Sequence, residues 1–165
     1  MRFVILLAIG LVAGCGQPAP APESSADATA PAVAEETATP IALIHALYAD
    51  DVNPLDAATV RRFFTDEFAA GLPAPEGEAG VINYDYRYLA QDTEITAFLI
   101  EEVASGPEGA RVEARFENFG EPTTIAWDLC RRADGQWRIT NASNREQGWS
   151  LRDSLELPAE TAGSC

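Results

Sequence analysis

The chain of 165 residues is 47 % hydrophobic and 22 % charged, enough apolar material for one core of ordinary size and too short for two domains. Its 26 acidic residues stand against 11 arginines and no lysine, a formal charge of −15. Such a surface repels nucleic acid and anionic lipid headgroups, so no nucleic-acid partner is expected.

Met1 to Gly14 carries one early charge, Arg2, followed by an apolar run from Phe3 to Ala13. That run is too short to span a bilayer and has the length of a signal-peptide core. It closes on Leu11-Val12-Ala13-Gly14-Cys15, which resembles the lipobox of bacterial lipoproteins, so residues 1–14 are predicted to be the signal and Cys15 the lipidation site. Gly16, in place of an aspartate after that cysteine, resembles the sorting signal for the outer membrane. The predicted address is the bacterial outer membrane, lipid-anchored and periplasm-facing, with the membrane contacted through the N-terminal lipid. Removing Arg2 with the signal leaves 10 arginines against 26 acids, a formal charge of −16.

Residues 15–39, rich in Pro, Ala, Glu, Ser and Thr, hold Val33 as their only large aliphatic and no aromatic residue. They cannot bury enough surface to offset their ordering entropy and read as a tether, whose coil dimension of roughly 30 Å lets the domain float near the membrane. The folded region is placed at residues 40–157, with a tail at 158–165.

In Ile41 to Asp51, Ile41, Ile44, Leu47 and Tyr48 fall at helical spacing, and Asn53-Pro54 stops the helix. A second helix is predicted from Leu55 or Asp56 to Gly71, with Val60, Phe63, Phe64 and Phe68 on its apolar side. His45, the single histidine, has no cysteine or second histidine at metal-ligand spacing and reads as a surface or satisfied core residue. No metal or cofactor is expected.

Ile82 to Asp92 is the densest polar and aromatic stretch, with Tyr84, Tyr86, Tyr88, Asp85, Gln91 and Asp92. These residues can line a polar pocket mouth, or the aspartates can brace the backbone where helices hand over to sheet. Four strands follow: Glu94–Ala104; Ala110–Phe119, where Val112, Ala114 and Phe116 alternate with charges; Thr124–Arg132, with Ile125, Trp127 and Leu129 on one side; and Gln136–Thr140. Ser105–Gly109, Asn118–Pro122 and Ala133–Gly135 supply the turns. The expected fold class is α+β, with N-terminal helices packed on a curved antiparallel four-stranded sheet.

The Asp85–Asp92 segment with its Gln91-Asp92 pair, the four strands, the closing Gly135-Gln136-Trp137-Arg138-Ile139 and the late Ser150-Leu151-Arg152 resemble the DUF3828 family of small exported bacterial proteins, many of them lipoproteins. The resemblance covers roughly Pro40 to Leu157 and implies an NTF2-like cone, in which a curved sheet wraps around helices and the space between often becomes a pocket. It implies no established activity.

No Gly-x-Ser-x-Gly elbow, phosphate-binding glycine loop or metal-spaced Cys/His set is present. The reading is therefore a noncatalytic binding or envelope-associated module whose partner is an unknown small molecule or an envelope protein. The alternatives are a small NTF2-like enzyme using pocket carboxylates and a protein-binding inhibitor or immunity-type factor. Any pocket is placed between the inner sheet face and the helices, with Tyr48, Tyr86, Trp127 and Asn141 as walls and Asp85 and Gln91 near the rim. Once Cys15 is lipidated, Cys130 and Cys165 are the remaining cysteines in an oxidising compartment, so a disulfide between them is expected.

Overall fold

A computed structural model describes residues 39–72, 82–158 and 165. The predicted signal, lipidation site and most of the tether lie outside these residues. Three short helices come first: α1 (Pro40–Leu47), α2 (Ala57–Phe63) and α3 (Asp66–Gly71). A sheet of five strands follows, β1 (Ile95–Ser105), β2 (Gly109–Asn118), β3 (Glu121–Arg131), β4 (Trp137–Asn144) and β5 (Trp149–Ser150), and then a single-turn helix α4 (Leu151–Ser154). The architecture is α+β, and every strand pairs antiparallel with its neighbour in sequence, in the order β1-β2-β3-β4-β5.

The helices start where local chemistry tells them to. Thr39 Oγ1 accepts the Ala42 amide at 3.2 Å with Pro40 in the first turn of α1, and Asp56 Oδ2 accepts the amides of Ala58 and Thr59 at 2.9 and 3.1 Å. The long helix expected up to Gly71 is broken. Phe64 is extended and bridges Ile139 of β4, and the Thr65 amide donates to the Ile139 carbonyl at 3.1 Å. Pairing with the sheet outweighs the continued helical ladder there, and Asp66 and Glu67 then favour a fresh helix N-terminus.

The sheet also differs from the four strands expected. β4 runs on to Asn144, and a turn returns the chain as the short β5, which pairs Ser150 with Ser143 and Trp149 with Asn144. A bulge between Asp128 and Leu129 shifts the β3–β4 register, so that Leu129 faces Ile139 while Trp127 faces Ala142. The extra residue flips the side-chain phase of the second half of β4.

The concave face carries Val112, Ala114, Phe116, Ile125, Trp127, Leu129, Ile139 and Ala142, all buried. Against it pack Leu43, Ile44 and Leu47 of α1, Val60 and Phe63 of α2, and Phe64, Phe68 and Leu72. The C-terminal segment is pinned by Arg152, whose side chain is 9 % exposed. Its guanidinium donates to the carbonyls of Thr140 (3.0 Å) and Pro158, pairs with Glu67 at 2.9 Å and lies over the Phe68 ring. All three nitrogens of this buried cation thus meet an acceptor, and its face meets a ring.

Sγ of Cys130 and Sγ of Cys165 are bonded, with Cα atoms 5.7 Å apart across a sequence separation of 35. Closing a loop of that length restricts the unfolded chain and stabilises by about 4 kcal/mol. Protein isolated without reductant should yield no alkylatable thiol at these positions, and dithiothreitol should lower its urea midpoint by a corresponding amount. Two freely alkylated thiols in the native protein would contradict the bond.

Candidate functional site

The stretch from Ile82 to Asp92 folds as a tight loop, closed by the Asp85 amide donating to the Ala90 carbonyl at 3.0 Å and turned through Leu89 at φ 55°. At its centre Asp85 holds Arg87. Nη2 of Arg87 meets Asp85 Oδ2 at 2.7 Å, Nε reaches both carboxylate oxygens at 3.0 and 3.1 Å, and the Arg87 amide donates to Oδ1 at 2.9 Å. The remaining arm of the guanidinium donates to the Leu47 carbonyl at 2.8 Å, one of the open acceptors at the end of α1. In return the Tyr48 hydroxyl donates to the Arg87 carbonyl at 2.9 Å. Loop and helix are therefore tied twice.

The expected wall residues are partly brought together. Tyr48, Tyr86 and Trp127 meet, as rings packed on one another: Tyr48 lies edge-on to Trp127 at 5.9 Å between centroids, Tyr86 at 6.3 Å, and Phe64 adds a third edge at 6.5 Å. Tyr86 and Trp127 are fully buried, and the Tyr86 hydroxyl donates to the Pro54 carbonyl at 2.8 Å. The Trp127 indole N–H has no acceptor within good hydrogen-bond geometry, and it interacts with the Tyr48 hydroxyl. Asn141 sits elsewhere. The β4 bulge puts Ala142 opposite Trp127 in its place, and Asn141 Oδ1 accepts the Arg152 amide at 3.2 Å and the Ser150 hydroxyl at 3.3 Å. Gln91 is exposed and its amide reaches only the Asn83 carbonyl at 3.5 Å. His45 is exposed in the last turn of α1.

Burial dominates the electrostatics. The Tyr48 and Tyr86 hydroxyls are both pushed well above the usual tyrosine range by desolvation. Burial alone would lower the pKa of Arg87, but the hydrogen bonds and charge of Asp85 outweigh it and raise the value. Such a pair is a brace, because each of its charges is already neutralised by the other. Among the described residues no three His, Cys, Asp or Glu side chains converge as a metal site.

Two surface features were not singled out from the sequence. On the convex face, Glu113, Thr124, Ala126, Ser143, Asn144, Arg145 and Glu146 border a shallow hollow of about 190 Å³, formed where short side chains on neighbouring strands leave a dip. Its Glu113 is occupied by Arg115 at 2.6 Å. The second is apolar: Phe98, Leu99 and Val103 of β1 and Phe119 at the tip of the β2–β3 turn are 42, 48, 44 and 59 % exposed. Phe119 was legible as an anomaly, since an aromatic beside Gly120 in a two-residue turn contravenes turn chemistry. The β1 residues were not, because strand periodicity does not reveal which strand is an edge.

No protein family, no curated protein and no solved structure matches this chain.

Two measurements test the brace. Asp85→Asn, which leaves the Arg87 guanidinium without its carboxylate, should cost about 2 to 4 kcal/mol in urea unfolding; a change within error would return Asp85 to the list of free rim residues. The second is alkaline. Below pH about 10 the buried tyrosines are neutral in both folded and unfolded chains and contribute no pH dependence. Above it the unfolded chain releases the protons and the folded chain does not, so stability should fall by about 1.4 kcal/mol per pH unit for each buried hydroxyl. A urea midpoint that stays flat to pH 11 would contradict the burial of both groups.

Proposed function

We propose that this chain is a lipid-anchored, periplasm-facing module of the bacterial outer membrane that binds an envelope protein without catalysing a reaction, and that its domain is an NTF2-like cone of the DUF3828 type. The observation that carries the reading is where the polar chemistry goes. Tyr48, Tyr86, Asp85 and Arg87, the groups best suited to act on a bound molecule, are joined to backbone carbonyls and to each other where the loop meets the helix. A general acid or base needs a proton-transferring atom open to substrate, and this set has none to spare.

The unspent surface is apolar instead. Phe98, Leu99, Val103 and Phe119 stand exposed along one side of the sheet, which suits contact with a protein better than capture of a small polar molecule. The lipid anchor and the acidic tether of residues 15–39 hold such a surface within roughly 30 Å of the membrane, where envelope proteins are concentrated.

Cys15→Ser removes the thiol that would accept the lipid. The variant should leave the membrane fraction, appear in the soluble periplasm and take up no labelled palmitate. Continued membrane fractionation together with palmitate labelling would overturn the anchor, and with it the proposed address.

A further inference from the structure

We propose that the free edge of β1, continued by Phe119, docks an extended cationic segment of a partner protein by strand addition; this rests on reading the chain as a binding module. The order β1-β2-β3-β4-β5 leaves two edges. β5 is two residues long and leads straight into α4, whereas β1 runs from Ile95 to Ser105 with its outer backbone groups unmatched by any strand among the described residues. Long unprotected edges invite pairing, and folds usually suppress it. Here suppression is partial. Register shifts between Thr96 and Leu99 and between Glu102 and Ala104 break the strand at both ends, and Ala97 sits at φ 50° in the first of them. The bulges limit pairing to the straight stretch Leu99–Glu102 and leave Leu99 and Val103 exposed beside it.

Phe119 marks one end of this edge. Its amide donates to the Glu94 carbonyl at 3.1 Å, so the β2–β3 turn is fastened to the residue that precedes β1. Its φ of 51° followed by Gly120 at 81° is the two-residue turn that asparagine suits and that phenylalanine disfavours. A bulky side chain held in a strained conformation is 59 % exposed and packs on no other aromatic ring among the described residues. It is placed as an aromatic anchor for a partner.

Charge selects the occupant. Glu94, Glu102, Glu117 and Glu121 are all exposed around the ridge, while Glu101 is taken by Arg115 at 2.6 Å. A second copy would bring the same acidic edge and a formal charge of −16, 10 arginines against 26 acids, with it. The chain's own residues 16–39 bear Glu23, Asp27, Glu35 and Glu36 and no basic residue, so they match the edge no better. A segment alternating basic and apolar side chains satisfies the edge amides, covers Leu99 and Val103 and neutralises the carboxylates together.

The test uses the full chain, purified from whichever cell fraction holds it, so that failure of the membrane address leaves the outcome readable. Three labelled synthetic peptides are titrated: one alternating Arg or Lys with Val, one of the same composition with its charges and valines in separate blocks, and one alternating Glu with Val. The alternating cationic peptide should bind at least about tenfold tighter than either control, and should slow hydrogen exchange at Leu99–Glu102. Phe119→Asn and the pair Leu99→Ser with Val103→Ser keep the net charge and should each weaken it about tenfold, while Phe119→Asn raises the thermal midpoint by a few degrees because the turn is relieved. Equal binding of the block peptide, or binding unchanged by both variants, would reduce the effect to bulk charge and overturn the proposal. A dimer in sedimentation with protected β1 amides would assign the edge to a second copy, and protection in the peptide-free monomer would assign it to the chain's own segment; either result overturns it as well.

Discussion

Burial of one indole organises this molecule. Trp127 lies at the middle of the concave sheet face with no exposure, and a side chain of that size removes on the order of 200 Å² from water, about 5 kcal/mol as an upper figure. Covering it takes surfaces from three parts of the chain: Tyr48 from the end of α1, Phe64 from the break between α2 and α3, and Tyr86 from the Asp85–Ala90 loop. Each ring meets the indole at a steep angle, 87, 67 and 67°, an arrangement that sets the positive rim of one ring against the negative face of the other. The hub therefore dictates where the helices stop. Phe64 must leave the helix to reach both Ile139 and the indole, and the consequence is the interruption at Phe64-Thr65.

Aromatic packing alone does not fix the angle of a loop on a helix end. The Asp85–Arg87 pair does, because its directional bonds reach the Leu47 carbonyl on one side and the Tyr48 hydroxyl meets the Arg87 carbonyl on the other. A second buried cation repeats the device at the far end, where Arg152 gathers Thr140, Pro158 and Glu67 and so holds the C-terminal segment over α3. The Cys130–Cys165 bond fastens the same segment to β3. Both ends of the domain are thus closed by a charge that would be costly to bury unpaired. This explains how a chain with so few cations uses two of them in the interior.

The same closure bears on function. Residues that look reactive in the sequence are consumed by holding the aromatic hub in place, whereas ordinary strand residues become the exposed feature because the sheet does not close on itself. Phe98 shows the transition within one side chain. It packs on Tyr48 at 5.0 Å and stacks on Phe116 at 6.3 Å, yet remains 42 % exposed because no strand among the described residues lies beyond β1. The core ends where the strands run out.

Local patterning was sufficient for much of this. Alternation in Ala110–Phe119 and Thr124–Arg132 identified β2, β3 and their inner residues, Asp134-Gly135 identified the turn before β4, and Asp56 marked the start of the second helix, although the first ends at Leu47 rather than running to Asp51. These signals are legible because they depend on neighbours two to four positions away. What only the tertiary structure decided depends on residues far apart: the bulge opposite Asp128 that sends Asn141 away from Trp127, the Phe64–Ile139 bridge that splits a predicted helix, and the choice between rim and brace for Asp85. Asp85 offers the same carboxylate in either role. Only the position of Arg87, held by the Leu47 carbonyl 40 residues earlier in the chain, makes it a brace. Exposure of β1 is of the same kind, since an edge is defined by the strand that is not beside it, and no residue within β1 encodes that absence.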